Sequence, residues 1–308
     1  MARYLIENYR LTNHPYHDLI IYELGAGNGT LMVNILDYIR DFHPDIYSRT
    51  KFKVIEISSA LASIQNNQLL RTADSRGHTE HVEIINRSIF AWNTHVAAPC
   101  YFIALEVFDN FAHDSIRYQP FDETPLQGTV LIDDAGNFFE FYTPQIDPVA
   151  ARFLRVRKAA CSRPYSHPLE DREWFRRLKY SLPFAPNLTQ PEYVPTRLLQ
   201  FFDILQRYFP LHQLLTSDFD VLPDTVKGYN APVVQTRYRR TTVPVTTPYV
   251  MQGYFDILFP TDFHVMEDLY RAVTGKLTKV TSQAEWLKQW AFTEDTECQN
   301  GENPMLSW

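Results

Sequence analysis

The sequence contains few of the residues that form covalent or metal-stabilised frameworks. Only three of its 308 residues are cysteines, Cys100, Cys161 and Cys298, and they lie far apart. With no CxxC pair among them, neither a disulfide framework nor a zinc site is predicted. The ten histidines are scattered through the chain, and no metal site is expected from them.

Long apolar runs and an excess of positive charge are also missing. No apolar run approaches the roughly 20 residues that cross a bilayer, so no transmembrane segment is expected. The first residues, MARY, have neither a secretory nor a transit pattern. A formal net charge of −7 disfavours nucleic acid as a partner. A composition with 45% hydrophobic and 21% charged residues is typical of a soluble globular protein.

The first half of the chain alternates between strand and helix patterns. Leu19–Tyr22 is a continuous apolar run, and apolar residues recur at helical spacing from Leu31 to Ile39. Further strands are predicted at Lys51–Ile57, Val82–Ile85 and Tyr101–Leu105. This alternation predicts an α/β fold with a doubly wound parallel sheet.

Two more local predictions concern this half. Ser58 is expected to cap a helix after the second strand. Thr129–Ile132 and Phe138–Tyr142 flank the turn DDAGN and predict an antiparallel hairpin.

The middle of the chain changes character and predicts a helical insertion. Prolines become frequent, and helical patterns occupy Leu169–Leu182 and Pro195–Leu215. Strand patterns return at Pro232–Tyr238 and around residues 253–259, and helices are predicted at 263–274 and 282–292. The predicted organisation is an α/β core at 1–143, a mostly helical insertion at 144–215, and C-terminal strands and helices at 216–308 that complete the core.

An apolar stripe within the second helical pattern has two interpretations. Its members are Leu198, Phe201, Phe202, Leu205 and Phe209. Such a stripe is typical of a helix packed on the core, and it could also bind a partner protein.

The turn after the first strand carries the clearest functional pattern. Glu23 precedes Gly25, Gly27 and Gly29, with G-x-G-x-G spacing in place of the dinucleotide pattern G-x-G-x-x-G. Glycines let the chain turn and let a ligand approach a helix N-terminus. The acid would repel a pyrophosphate but would bind an amino group, and Glu56 at the next strand end could hold both hydroxyls of a ribose. The pattern therefore favours S-adenosylmethionine, a sulfonium nucleoside, over a purely structural turn.

An acidic pair follows the fourth strand, at the edge where a methyl acceptor would meet this cofactor. Glu106 and Asp109 are three residues apart. Methyl transfer mainly requires a positioned nucleophile, and carboxylates can hold an arginine guanidinium and take up its proton. The alternative is that one of the two caps the following helix. His113 and Asp114, in the same segment, are expected to be solvated.

Several ordered motifs resemble those of the MidA-type methyltransferases. They are ELGAGNGTLM, VIEISSAL, ALEVFDNFAHD, GYFDILFPTDF and TSQAEWL, and together they span nearly the whole chain. The family comprises mitochondrial protein arginine methyltransferases that assist assembly of respiratory complex I, and their bacterial relatives. The resemblance implies a class I methyltransferase, Rossmann-like fold, residence in the mitochondrial matrix, and a protein substrate with a target arginine in a complex I subunit.

The resemblance also implies roles for individual residues. Glu23 and the three turn glycines would hold the methionine part of the cofactor. Glu56 would hold its ribose, and the segment from Asn86 to Ser88 would approach its adenine. Glu106 and Asp109 match the acidic pair of the family, and Asp256 and Asp262 match acids on the acceptor side.

The chain departs from the family pattern at three places. It starts after a segment that in relatives helps to cover the cofactor, Leu105 replaces an asparagine, and Phe259-Pro-Thr replaces a segment containing histidine. These departures keep a second hypothesis open, a catalytically impaired scaffold or assembly protein with a methyltransferase fold. A homo-oligomer is compatible with either hypothesis.

Overall fold

The computed structural model describes residues 1–56, 70–161, 168–169, 173–223 and 231–306. The predicted cap Ser58 and its helix lie outside these residues. The strands are β1 Leu19–Leu24, β2 Thr50–Glu56, β3 Val82–Asn86, β4 Cys100–Leu105, β5 Asp114–Tyr118, β6 Pro125–Ile132, β7 Phe138–Thr143, β8 Glu192–Val194, β9 His212–Ser217, β10 Val233–Tyr238, β11 Thr241–Val245 and β12 Asp256–Leu258. The helices are α1 Ala2–Thr12, α2 Thr30–Phe42, α3 Pro44–Tyr47, α4 Pro148–Ala160, α5 Glu173–Tyr180, α6 Thr196–Tyr208, α7 Phe263–Thr274 and α8 Gln283–Trp290.

The chain forms two compact units. The first contains Met1–Val107, Asp203–Ser217 and Thr278–Trp308, and the second contains Phe108–Phe202 and Asp218–Leu277. The bounds of these units differ from the three regions 1–143, 144–215 and 216–308 proposed from the sequence. That three-part organisation stays a prediction. No helix in the described part of the chain is long and apolar enough to cross a membrane.

The first unit is built on a parallel five-stranded sheet with the order β3-β2-β1-β4-β9. Its central strands are buried on both faces, and every residue of β4 from Cys100 to Ala104 is buried. Helix α2 buries Met32, Ile35, Leu36 and Ile39, which recur at helical spacing. The predicted doubly wound α/β fold is therefore confirmed. The strand order reverses between β1 and β4, the position at which open α/β sheets bind ligands.

The second unit contains two antiparallel sheets, with the orders β7-β6-β5-β8 and β11-β10-β12. The predicted hairpin is confirmed, since β6 and β7 pair with Leu131 opposite Phe139. Its turn is fixed by Asp133, whose Oδ1 accepts hydrogen bonds from the amides of Ala135 and Asn137. Residues 144–215 contain helices α4, α5 and α6 and also strand β8, which pairs with β5.

One predicted helix was too long. The pattern over Pro195–Leu215 contains a helix that ends at Tyr208, followed by strand β9, which pairs in parallel with β4. Pro210 explains the break, because proline lacks an amide hydrogen and disfavours helical geometry in the preceding residue. The five residues of the apolar stripe are all buried, which confirms the core interpretation.

Candidate active site

The glycine turn joins the buried end of β1 to the first turn of α2. Gly25, Gly27 and Gly29 have φ angles of +69°, +53° and +75°, in the region that side chains with a Cβ rarely adopt. A Cβ on Gly25 would lie 3.6 Å from the side chain of Val107, whereas a Cβ on Gly27 would have no atom within 4 Å. The backbone thus favours glycine at all three positions, and the space above Gly27 is open to a ligand.

Glu23, the second-to-last residue of β1, is a buried carboxylate. The residue is 5% exposed, and its Oε2 accepts no hydrogen bond among the described residues. Burial raises its pKa to about 7, because removal from water penalises the charged form. A buried acid in this state favours a ligand that brings a positively charged donor, such as the ammonium of an amino acid.

Polar residues end the two neighbouring strands. Glu56 is the last residue of β2 and lies in register with Asn86, the last residue of β3. Glu56 is half-buried and Asn86 is exposed. The hydroxyl of Ser88 accepts a hydrogen bond from the amide of Phe90 at 3.2 Å. The structure therefore brings Glu56 and the segment from Asn86 to Ser88 to the same sheet edge as the glycine turn.

Arg87, within this segment, was not assigned a role from the sequence. Its guanidinium lies 4.7 Å from the ring centre of Trp92 and donates two hydrogen bonds, each 3.2 Å long, to Asn93 Oδ1. The sequence signal was an arginine followed five residues later by tryptophan. This contact fixes the side chain beside the strand end.

Glu106 follows β4 and has an unusual backbone conformation. Its φ angle is +53°, which costs about 1–3 kcal/mol for a residue other than glycine. The turn is held by its own amide, which donates to the Ser217 carbonyl at 2.9 Å. Because β4 lies beside β1 with Ala104 opposite Leu24, Glu106 and the glycine turn lie at one edge of the sheet. Strained residues of this kind concentrate at functional sites.

Asp109 belongs to the second unit and is 3% exposed. Its Oδ1 accepts a hydrogen bond of 2.6 Å from Asn110 Nδ2, and its carbonyl accepts one of 2.9 Å from the Phe259 amide. Its amide and that of Phe108 donate to Asp218 Oδ2 at 3.3 and 2.8 Å. Asp218, missed in the sequence, thus caps the short turn that carries Asp109. Its signal was an acid directly after the apolar pattern of β9.

The two acids assigned to the acceptor side differ in their surroundings. Asp256 is exposed and begins β12. Asp262 accepts hydrogen bonds of 3.0 Å from the amides of His264 and Val265 and so caps α7. The structure gives Asp262 a helix-capping role, and the acceptor-side role of both acids stays a prediction.

His113 and Asp114, which were expected to be solvated, are each half-buried and have specific partners. The His113 ring stacks on Phe259 with 3.8 Å between ring centres, and its Nδ1 lies 2.8 Å from the Phe111 carbonyl. Burial lowers the pKa of His113 to about 4, so its ring is neutral at pH 7. Asp114 accepts hydrogen bonds from Gln127 and Thr196. Both residues stabilise the second unit through contacts that local sequence does not reveal. No group of three or more potential metal ligands occurs among the residues described here.

Comparison with known proteins identifies the family. Residues 1–282 match the family described as "Putative S-adenosyl-L-methionine-dependent methyltransferase". The chain is 25% identical over 307 residues to the "Protein arginine methyltransferase NDUFAF7 homolog, mitochondrial" of Schizosaccharomyces pombe, with 94% of this chain and 63% of that protein covered. The chain therefore spans less than two thirds of the length of this curated relative.

Two crystal structures from Burkholderia thailandensis have the same fold. One, described as a "likely methyl transferase" bound to S-adenosyl-homocysteine, gives a TM-score of 0.61 at 17% identity and covers 96% of this chain and 65% of its own. The other, a native structure, gives a TM-score of 0.62 at 17% identity and covers 99% and 70%. The fold is therefore that of the class I methyltransferases, as the sequence predicted. The buried, unsatisfied oxygen of Glu23 and the open space above Gly27 fit the amino-acid part of S-adenosylmethionine. The chain belongs to the family of S-adenosyl-L-methionine-dependent methyltransferases.

Proposed function

We propose that this chain methylates arginine on a protein substrate. The observation that carries the proposal is Glu106, a carboxylate held in a strained conformation at the sheet edge that also bears the glycine turn. The printed name of the Schizosaccharomyces pombe relative supports arginine as the acceptor. A complex I subunit as the substrate, and the mitochondrial matrix as the compartment, are proposed from the family resemblance, and that name also includes "mitochondrial".

The cofactor site proposed here uses the first unit alone. Glu23 would accept hydrogen bonds from the ammonium group of the methionine part, and the glycine turn would let that part approach the backbone. Glu56 would accept from the ribose hydroxyls, and Asn86 and Ser88 would approach the adenine. When bound, S-adenosylmethionine supplies an electrophilic methyl group. Burial favours the neutral form of Glu23 in the free protein. When the ammonium group binds, Glu23 would release its proton to solvent, and its carboxylate would pair with the ammonium.

The proposed catalytic residue is Glu106. Its carboxylate would hold the guanidinium in a fixed orientation and accept the proton that the attacking nitrogen loses. A rigid backbone serves this role, because methyl transfer depends on an aligned nucleophile. The hydrogen bond from the Glu106 amide to Ser217 supplies that rigidity. Asp109 is proposed as the second carboxylate because it follows Glu106 by three residues in the sequence.

The direct test is the substitution Glu106→Gln. We expect methyl transfer from labelled S-adenosylmethionine to fall by at least about a hundredfold, the usual scale for loss of general acid–base catalysis, with cofactor affinity by calorimetry nearly unchanged. Glu80→Gln, at an exposed site, is the matched control and should retain activity. Equal activity of Glu106→Gln and wild type would remove Glu106 from catalysis. A wild-type chain that binds the cofactor but transfers no methyl group would favour the scaffold hypothesis, although burial of the Leu198–Phe209 stripe removes one argument for it.

A further inference from the structure

Helix α5 has its charged and apolar residues in the reverse of the usual arrangement. Its buried residue is Arg176, at 4% exposure, while Trp174 and Leu178 are 64% and 58% exposed. Phe175 is also exposed, and Leu182 and Phe184 follow shortly after the helix with exposed side chains. Five large apolar side chains therefore face solvent within eleven residues. Clusters of this kind mark interaction surfaces.

A polar anchor explains why the apolar side chains point outward. Arg176 donates from Nε to the Pro120 carbonyl at 2.9 Å and from Nη1 to the Leu169 carbonyl at 3.0 Å. It also forms an ion pair with Glu123. The helix is thus attached to the second unit through its arginine and does not use its apolar face for packing.

Basic residues flank this apolar face on both sides. At 3.6 residues per turn, Trp174 and Leu178 lie above one another with Phe175 beside them. Lys179 borders this face on the Phe175 side, and Arg177 borders it on the other side. Arg177 pairs with Glu173 at 2.8 Å, with both side chains more than half exposed. Arg176 lies opposite the apolar face, on the side that is attached to the protein.

We propose that α5, with Leu182 and Phe184, docks on an anionic membrane surface. Charge selects this occupant: an apolar face that contains tryptophan and has cations along both edges matches the boundary between acyl chains and anionic headgroups. The long stems of Lys179 and Arg177 can reach outward while the rings enter the boundary. Helix α5 has three basic residues and one acidic residue, in a chain whose formal net charge is −7. The proposal is independent of the proposed arginine substrate.

Vesicle sedimentation with the full chain tests the proposal. The probes are phosphatidylcholine vesicles and vesicles in which roughly a third of the lipid is phosphatidylglycerol, which carries the anionic headgroup. We expect at least about tenfold tighter binding to the anionic vesicles, because each basic residue near such a surface contributes attraction. Binding should weaken with added salt. Equal binding to both vesicle types, or no binding, would overturn the proposal.

Two pairs of substitutions separate the apolar and the charged contributions. Trp174→Ser with Leu178→Ser should lower anionic vesicle binding by at least about tenfold through lost apolar burial. Arg177→Gln with Lys179→Gln should lower it by about tenfold through lost attraction. All four side chains are exposed, so folding should persist, and unchanged thermal unfolding and cofactor binding would show that it does.

A matched control uses another exposed apolar pair. Leu131 and Phe139, at 54% and 45% exposure, face each other across β6 and β7, and replacing both with serine should leave vesicle binding unchanged. An equal loss in this control would refute a site at α5. Light scattering distinguishes a contact between copies of the chain. If wild type is a dimer that does not bind vesicles and the Trp174→Ser, Leu178→Ser protein is a monomer, the apolar face joins two copies and the membrane proposal fails.

Discussion

Replacing Glu23 with glutamine should stabilise the free protein at neutral pH while weakening cofactor binding. Burial raises the pKa of Glu23 from 4.5 to about 7. Between these values the unfolded chain has released the proton that the folded protein keeps, so the free energy of unfolding falls as pH rises. Above about pH 7 the folded protein carries the full cost of the buried charge. At about 1.4 kcal/mol for each pKa unit, that cost is about 3 kcal/mol.

Chemical denaturation of wild type and Glu23→Gln at pH 4 and pH 8 measures this cost. At pH 4 both side chains are neutral in the folded state, and the two proteins should have similar free energies of unfolding. At pH 8 the variant should be more stable by up to about 3 kcal/mol, since only the wild type buries a charge. Glu80→Gln, at an exposed site, serves as the control and should show no such difference between the two pH values.

Cofactor binding should favour the wild type over Glu23→Gln, the reverse of the difference in stability. Its ammonium group would compensate the buried carboxylate, so calorimetry should show tighter binding to wild type than to Glu23→Gln at pH 8. Wild-type affinity should fall by about tenfold for each pH unit below about 7, because a proton must leave Glu23 before the ammonium can bind. A wild-type protein whose stability relative to Glu23→Gln increases from pH 4 to pH 8 would refute this reasoning, as would equal cofactor affinity of the two proteins.

Three further predictions follow from individual contacts. Gly27→Val should abolish cofactor binding by calorimetry, whereas Gly136→Val, at a position that also has a positive φ and open space, should lose only the roughly 1–2 kcal/mol of backbone strain; comparable cofactor loss in both would argue against a site at Gly27. Arg157→Met should lower the free energy of unfolding by about 3–5 kcal/mol in denaturant titrations, because it leaves buried Glu192 without the ion pair at 2.6 Å; a loss below about 1 kcal/mol would contradict this. Asp218→Ala should reduce the rate of methyl transfer with little change in cofactor affinity, because it removes the cap from the turn that carries Asp109; unchanged turnover would show that the cap has no part in positioning.

Local sequence was sufficient wherever a short-range physical rule applies. Three alternate glycines after an apolar strand specified a turn of positive φ angles, and the structure has all three. Continuous apolar runs that alternate with helical patterns specified the parallel sheet. Helices cover both faces of such a sheet, so its strands are buried on both sides and are apolar throughout. The acids Glu23 and Glu56 could be assigned to strand ends for the same reason.

Contacts between distant segments decided the rest. No local pattern shows that one oxygen of Glu23 is buried without a partner among the residues that the structure describes, or that Asp218 caps a turn about 110 residues earlier. The pattern over Leu169–Leu182 predicted a helix, but only tertiary packing decided that Arg176 faces inward and Trp174 outward. Sequence periodicity defines the faces of an element, whereas burial depends on which other elements reach those faces. That is why the sequence alone determined the fold and the cofactor class, and the tertiary structure decided the state of each side chain.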